Sequence, residues 1–201
     1  SPGALTRGQD WLAVIFISHM YSLFTKILLT PRVTLPRGAF AGPRETEAAE
    51  IDERLRQAIF RNLGGSLAIR EVDAGSTNAE EWELTALGNA YYDIERLGVH
   101  FVASPRHADA LLVTGPVSRN MVEALRRTYE ATPEPKIVVA VGDGAIDGGI
   151  FKGSYAIAGG VKDVIPVDLE IPGDPPSPTA IMTTLLALTS ELGKKRRAQG
   201  S

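Results

Sequence analysis

Short, nearly continuous apolar runs alternate with longer amphipathic stretches through the body of the chain. Ala110–Thr114 (ALLVT) and Lys136–Val141 (KIVVAV) are such runs, and Ser66–Val72 and His100–Ala103 have the composition of two further strands. Short apolar strands separated by helices are typical of a parallel sheet that is covered on both faces. The pattern therefore predicts a small doubly wound α/β domain.

Helices are predicted around these strands from amphipathic spacing and from end signals. They are Thr46–Leu63, Thr77–Gly98, Asn120–Thr132 and Ser177–Leu192. Thr46 is the expected N-cap of the first helix, and Gly64-Gly65 are expected to end it. The basic residues from 194 to 197 are expected to form a solvated tail. The predicted organisation is a helix and linker over 1–45, the α/β domain over 46–193, and a basic tail over 194–201.

The segment Trp11–Leu29 (WLAVIFISHMYSLFTKILL) is apolar, and helical spacing of its large side chains predicts an amphipathic helix. His19 and Lys26 weaken the interpretation as a membrane span, and the absence of an A-x-A-like site weakens a signal peptide. We expect a helix that lies on a membrane surface or a membrane subunit; packing on its own domain is the alternative. Residues 30–45, with three prolines and two glycines, predict an extended linker.

Composition narrows the chemistry. The chain has no cysteine, which excludes disulfides, thiolate nucleophiles and Cys-ligated zinc or iron–sulfur sites. A net charge of -3 gives no basic footprint for nucleic acid. Residues 1–44 hold five basic residues and one acidic residue, so a basic arm precedes an acidic body. This asymmetry favours a membrane surface or an acidic partner.

Polar loops follow the predicted strands where a site is expected. The carboxyl ends of parallel strands meet at one edge of the sheet, which is where such folds bind ligands. The loops are Asp73–Thr77, Thr114–Asn120, Gly142–Gly149 and Ile171–Thr179. The first loop ends in Thr77-x-x-Glu80, which has the form of a capping box at a helix start.

These loops resemble the small subunit of membrane-bound energy-converting [NiFe] hydrogenases and its homologue, the 20 kDa iron–sulfur subunit of respiratory complex I. The matching stretches include REVDAGS, YDIERLGVHFVASPRHADALLVTGPVSRNM and VIPVDLEIPGDPPSP, and the resemblance runs from about Ser66 to Leu188. Several blocks in the right order are far more specific than one short motif. The resemblance implies a flavodoxin-like parallel sheet.

The resemblance also implies a [4Fe–4S] cluster held by four cysteines. The family pattern would place them at Thr77, Glu80, Gly144 and Asp174, and none of these is cysteine. Because such clusters are held by thiolates, no cluster, metal or other cofactor is predicted here. One interpretation is structural, with Thr77 and Glu80 capping a helix.

The other interpretation is electrostatic. Glu80 and Asp174 would supply negative charge in the vacated cavity, and Arg106, His107 and Asp143 would lie nearby in matching loops. Carboxylates beside Arg and His can hold or pass protons. This hypothesis predicts a proton or charge site made of these five residues.

The sequence leads to three functional hypotheses. The favoured one is a cluster-free structural and coupling subunit of a complex I-like or hydrogenase-related ion-translocating complex, not catalytic itself. Its implied partners are a large soluble subunit, membrane-embedded antiporter-like and connector subunits, and the cytoplasmic face of the cell membrane. The alternatives are a subunit of a redox-active complex whose electrons are carried by partners, and a flavodoxin-like module that binds a small ligand.

Overall fold

The computed structural model describes residues 43–199, with side chains from residue 49. The predicted Trp11–Leu29 helix and nearly all of the predicted linker lie outside the described residues. Within residues 43–199, no helix is both long and apolar enough to cross a membrane. The helices are α1 (Pro43–Leu63), α2 (Ala79–Ala86), α3 (Val122–Ala131), α4 (Asp143–Asp147) and α5 (Pro178–Gln199). Short 3₁₀ turns are Ile94–Leu97, Pro105–His107, Gly149–Phe151 and Val161–Asp163.

Five strands form one parallel sheet. The strands of the structure are β1 (Leu67–Asp73), β2 (Val99–Phe101), β3 (Ala110–Thr114), β4 (Val117–Ser118), β5 (Ile137–Val141), β6 (Ile157–Gly159) and β7 (Leu169–Ile171). The large sheet has the order β2-β1-β3-β5-β7, and β4 pairs with β6 in a small antiparallel sheet. Counted within the large sheet, the order is 2-1-3-4-5, which is the flavodoxin-like arrangement. The predicted doubly wound fold is confirmed.

The sheet separates two hydrophobic cores. One face packs against α1, α2 and α5 through residues such as Leu55, Leu84 and Leu185. The other packs against α3 and α4 through Leu125 and Ala145. All five residues of β3 and of β5 are buried, because these central strands are covered on both faces.

Helices α1 and α2 have different bounds from those predicted. Helix α1 begins at Pro43, so Thr46 lies inside it and is not its N-cap; the last residues of the predicted linker are helical. The helix ends at Leu63, and Gly64 adopts φ +78°, which confirms the predicted glycine stop. The predicted helix Thr77–Gly98 is wrong beyond α2. The Asn89 side chain accepts hydrogen bonds from the amides of Tyr91 and Tyr92, and these bonds form a turn in place of the helix.

The basic residues 194–197, which are expected to form a solvated tail, are helical in the structure. Helix α5 continues to Gln199, and two of the basic side chains dock on the domain. Lys195 Nζ lies 2.7 Å from Asp168 Oδ1, and Arg196 donates to Asp109 and to the Leu63 carbonyl. These ion pairs explain why the helix does not stop where its apolar pattern ends.

The loop-edge cavity as candidate functional site

Four parallel strands end level with one another and place their loops around one cavity. Asp73 pairs with Thr114, Thr114 with Val141, and Val141 with Ile171. The loops after β1, β3, β5 and β7 therefore leave the same edge of the sheet. Between them lies a cavity of about 160 Å³, here called the loop-edge cavity.

All four positions at which the family pattern would place cysteines line the loop-edge cavity. They are Thr77, Glu80, Gly144 and Asp174. The remaining lining residues are Pro116, Gly148, Gly149, Ile150 and Phe151. Thr77 and Asp174 are exposed, whereas Glu80, which lies at the start of α2, is 3% exposed. One buried carboxylate thus lies at the base of a cavity whose mouth carries a second, exposed one.

The start of α2 is organised by Asp73, Ser76 and Asn78 and has no capping box. Asp73 Oδ1 accepts hydrogen bonds from the amides of Gly75 and Ser76, each at 2.8 Å. Ser76 Oγ accepts from the Asn78 amide at 3.0 Å. Asn78 is the N-cap, with φ 71° and no side-chain cap, so the expected Thr77-to-Glu80 box is wrong. The helix begins one residue too late for Thr77 to cap it.

The side chain of Glu80 packs against the backbone at Gly142. A Cβ added to Gly142 would lie 2.6 Å from Glu80 Oε1, and Gly142 has φ +89°. Glycine is therefore required here by both space and conformation. The buried carboxylate of Glu80 is held between α2 and the loop that follows β5.

Asp143 joins two of the loops and lies outside the loop-edge cavity. Its amide donates to the Gly173 carbonyl at 2.8 Å, and its Oδ1 accepts from the Gly173 amide at 2.9 Å. Asp143 lines a wider neighbouring groove of about 610 Å³ together with Asp147, Glu170 and Asp174. Its observed contacts are those of a strap between the loops after β5 and β7.

Arg106 and His107 are not brought to the cavity, contrary to the prediction. Both belong to the turn that leads into β3. The end of β2 is level with the start of β3, because Val102, just after β2, donates its amide to the Ile69 carbonyl, and Ile69 pairs with Ala110. This turn precedes the amino end of β3, and the strand itself spans about 13 Å from Ala110 to Thr114 at roughly 3.3 Å per residue. Their loop follows an edge strand that stops short, so it opens at the opposite edge of the sheet.

Two carboxylate oxygens near the cavity are buried without a hydrogen-bond partner, Glu80 Oε2 and Glu81 Oε1. Burial raises the pKa of Glu80, and the nearby charges of Glu81, Asp174 and Asp73 raise it further. Burial also raises the pKa of Glu71, with Glu81 adding to the effect and Arg70 opposing it. The site is thus an acidic cluster in which charge is disfavoured.

Sequence reasoning missed Glu71, Glu81 and Pro116. Glu71 lies on the same face of β1 as the buried Leu67 and Ile69. An acidic residue in this apolar alternation is the sequence feature that could have identified it. Glu81 follows Glu80 directly, but its burial depends on the helix start, which was predicted wrongly. Pro116 had no local signal, because it reaches the cavity from the loop after β3.

The residues around the cavity do not fit a [4Fe–4S] cluster. Thr77, Glu80 and Asp174 offer a hydroxyl and two carboxylates, whereas such clusters require thiolates. Gly144 offers no side chain, and a Cβ placed there would lie 2.9 Å from Pro116 Cδ. The proline ring therefore occupies the space into which a ligand side chain at position 144 would have to extend.

The rim of the cavity carries exposed apolar side chains. Ile150 is 82% exposed and Phe151 is 40% exposed, and both line the cavity. Trp82 on α2 and Tyr155 before β6 are also exposed, at 69% and 90%. Exposed large apolar side chains beside one cavity, here Ile150 and Phe151, are typical of a protein-interaction surface.

The flavodoxin-like sheet, with four loops around a cavity at one edge, is the fold that the resemblance of the loop sequences implies. The chain belongs to the family of the 20 kDa subunit of NADH ubiquinone oxidoreductase, whose family model matches residues 78–188. This confirms the resemblance drawn from the loop sequences.

Two curated relatives and one solved structure extend the comparison. An uncharacterized protein of Methanocaldococcus jannaschii is 50% identical over 66% of this chain and 87% of its own length. The probable membrane-bound hydrogenase subunit mbhJ of Pyrococcus furiosus is 39% identical over 74% of this chain and 89% of its own. The membrane-bound sulfane sulfur reductase, an archaeal respiratory membrane complex, contains a chain that is 34% identical, with a TM-score of 0.58, covering 71% of this chain and 77% of that one.

Proposed function

We propose that this chain is a cluster-free structural and coupling subunit of a membrane-bound complex of the complex I or hydrogenase type. It joins a large soluble subunit to membrane-embedded antiporter-like and connector subunits, and lies peripherally on the cytoplasmic face of the membrane. Membership of the 20 kDa subunit family and similarity to a probable membrane-bound hydrogenase subunit support the assignment to such a complex.

One observation carries the cluster-free part of this proposal. The four family ligand positions surround a single cavity, so the frame that would present a cluster is retained. At the same positions stand hydroxyl, carboxylate and glycine, and Pro116 closes on Gly144. A retained frame with altered chemistry favours a role in assembly and coupling over electron transfer.

The exposed rim supports a partner at the loop edge. Ile150 projects with 82% of its surface exposed beside the cavity, and a hydrophobic anchor surrounded by polar groups is the usual centre of a protein interface. Asp143, Glu170 and Asp174 line the adjacent groove and provide an acidic border. A large soluble subunit that covers this edge would bury both.

Purification of the complex through a tag on this chain tests the proposal. We expect membrane subunits and a large soluble subunit to copurify, and we expect the complex in vesicles to translocate ions. Recovery of the chain without membrane subunits would contradict the proposal. Iron or nickel that is stoichiometric in the partners would favour the alternative, a redox-active complex whose electrons bypass this chain.

A pair of variants tests the position of the partner. Ile150→Asp places a charge at the centre of the proposed interface, and we expect the large soluble subunit to be lost from the purified complex. Phe60→Asp is the control, because Phe60 is 73% exposed on α1, lies outside the loop-edge cavity and lines a separate groove with Arg61 and Arg96. Equal retention of the large subunit in both variants would contradict docking at the loop edge.

A further inference from the structure

Four carboxylates converge between the end of β1 and the start of α2. Side chains alternate between the two faces of a strand, so Glu71 and Asp73 lie on the face of β1 that α2 covers. Glu80 and Glu81 come from the first turn of α2. Burial raises the pKa of both Glu71 and Glu80, and the negative charge of Glu81 raises both further.

This cluster has too few partners for its charge. Asp73 accepts two backbone amides through Oδ1, and Glu81 Oε2 accepts the Ser76 hydroxyl at 2.6 Å. Glu81 Oε1 and Glu80 Oε2 are buried and have no partner. Among residues 49–199, no ion pair joins any of the four carboxylates to Arg, Lys or His.

An unpaired buried carboxylate requires a positive ligand, and the structure favours a proton over a metal ion. Within the described part of the chain, no group of three or more His, Asp or Glu side chains is placed to hold a metal ion. A carboxylate that is buried without a cation is neutralised by protonation. Glu80 is 3% exposed, and its unpartnered Oε2 belongs to a side chain that lines the loop-edge cavity, so the proton has a defined place and an access route.

We propose that Glu80 forms a proton-binding site at the base of the loop-edge cavity, where the family pattern would place part of a metal cluster. The Glu80 carboxylate takes up one proton from solvent that enters the cavity, and the carboxylic acid returns it to solvent by the same route. The inference deepens the proposed function and rests on it for the biological use of the proton, but not for the chemistry.

Glu71, the β1 member of the cluster, borders a different space. It lines a second cleft of about 260 Å³ with Leu84, Thr85, Gly88 and Phe101. Glu80 instead lines the loop-edge cavity, so the two carboxylates open into separate spaces.

Infrared difference spectroscopy on the full-length chain, purified with detergent and studied over a pH series, tests the inference without requiring any partner. We expect the carbonyl band of one protonated carboxylic acid to persist above the ordinary glutamate pKa of 4.5 and to disappear as the pH is raised further. The variant Glu80→Gln should remove this band, because it removes the carboxyl group that holds the proton. Glu83→Gln is the matched control, since Glu83 lies on the same helix and does not line the cavity.

A band that is lost in Glu80→Gln and kept in Glu83→Gln supports the site. A wild-type chain whose carboxylic acids all ionise in the range of ordinary glutamates would overturn it, as would a band that survives in Glu80→Gln. Circular dichroism of each variant shows whether the fold is retained. The infrared result does not depend on which subunits copurify with the chain. The proton site and the proposed complex can therefore be refuted separately.

Discussion

The two edges of the parallel sheet use carboxylates in opposite ways. At the amino edge, Asp109 accepts from the Ala68 amide through Oδ2 and from Arg196 through Oδ1. Asp168 likewise accepts from the Val138 amide and from Lys195. At the carboxyl edge, Glu80 is more deeply buried than either aspartate and has an oxygen with no partner.

The difference separates a structural edge from a functional one. At the amino edge each aspartate is satisfied and ties a strand to α5, so its charge stabilises the fold. At the carboxyl edge the same kind of group is left partly unsatisfied, which costs stability and is retained in native proteins mainly where a site needs it. Substitutions of the carboxylates at the two edges should therefore have opposite effects on the free energy of unfolding.

The largest effect is expected at the amino edge. Asp109→Ala removes a hydrogen-bonded ion pair and leaves the Ala68 amide without its acceptor, so we expect a loss of about 3 kcal/mol in the free energy of unfolding. Urea denaturation of the full-length chain measures it. Asp93→Ala is the control, because Asp93 pairs with an exposed Arg96 at 3.6 Å; a similar loss in both variants would remove the special role of Asp109.

A smaller loss is expected from filling the space beside Pro116. Gly144→Ala places a Cβ 2.9 Å from Pro116 Cδ, and overpacking of this kind typically costs about 1–3 kcal/mol. Gly88→Ala is the matched control, since its nearest neighbour would be the Thr85 carbonyl at an ordinary 3.5 Å. Thermal unfolding should show a lower midpoint for Gly144→Ala alone, and equal midpoints would contradict the packing described for the cavity.

At the carboxyl edge, Glu80→Gln should stabilise the chain, in contrast to Asp109→Ala. The pKa of Glu80 is raised by burial, so the folded chain binds this proton more tightly than the unfolded chain. The stability that the proton provides is complete below the ordinary value of 4.5 and is lost as the pH rises through the raised pKa.

Relative to wild type, Glu80→Gln should therefore be more stable above the raised pKa, by about 1 kcal/mol, the order of cost of an unsatisfied buried polar group. The difference should shrink as the pH falls towards 4.5. Urea denaturation at several pH values measures both trends. A variant that is less stable than wild type at every pH would show that the Glu80 carboxylate is satisfied.

The smallest effect is expected for a surface ion pair far from both edges. Arg127 and Glu123 lie 2.8 Å apart on α3 and are 75% and 63% exposed. Exposed pairs of this kind contribute roughly 0.3–0.5 kcal/mol, so Glu123→Gln should change the unfolding free energy by no more than that, and less at high salt. A loss comparable to that of Asp109→Ala would contradict the distinction between the part-buried Asp109, which is bonded to a strand and to α5, and an exposed carboxylate.

The central sheet could be predicted from the sequence because its signal is local. The bounds of β3 match the predicted Ala110–Thr114, and β1 and β5 shift by one residue, since continuous apolar runs identify strands buried on both faces. Helix α5 extends beyond its prediction because its last turns are held by ion pairs with Asp109 and Asp168, which come from distant parts of the chain. Such tertiary contacts leave no local pattern.

The site positions that family motifs identify could be predicted from the sequence. Those whose location depends on the topology of the sheet could not. Thr77, Glu80, Gly144 and Asp174 line one cavity, as their motifs implied. Arg106 and His107 were placed there because their sequence block matched the family, but their turn lies at the other edge of the sheet. The burial of Glu81 depends on where α2 begins, and the start of a helix is poorly determined by sequence.

The most direct test is the iron content of the full-length chain when it is produced in cells that assemble iron–sulfur clusters and purified anaerobically. The chemistry at the loop-edge cavity predicts no iron above background and no visible absorbance from a cluster. Stoichiometric iron that disappears in a Glu80→Ala, Asp174→Ala double variant would contradict it, because it would show that these oxygen ligands hold a metal after all.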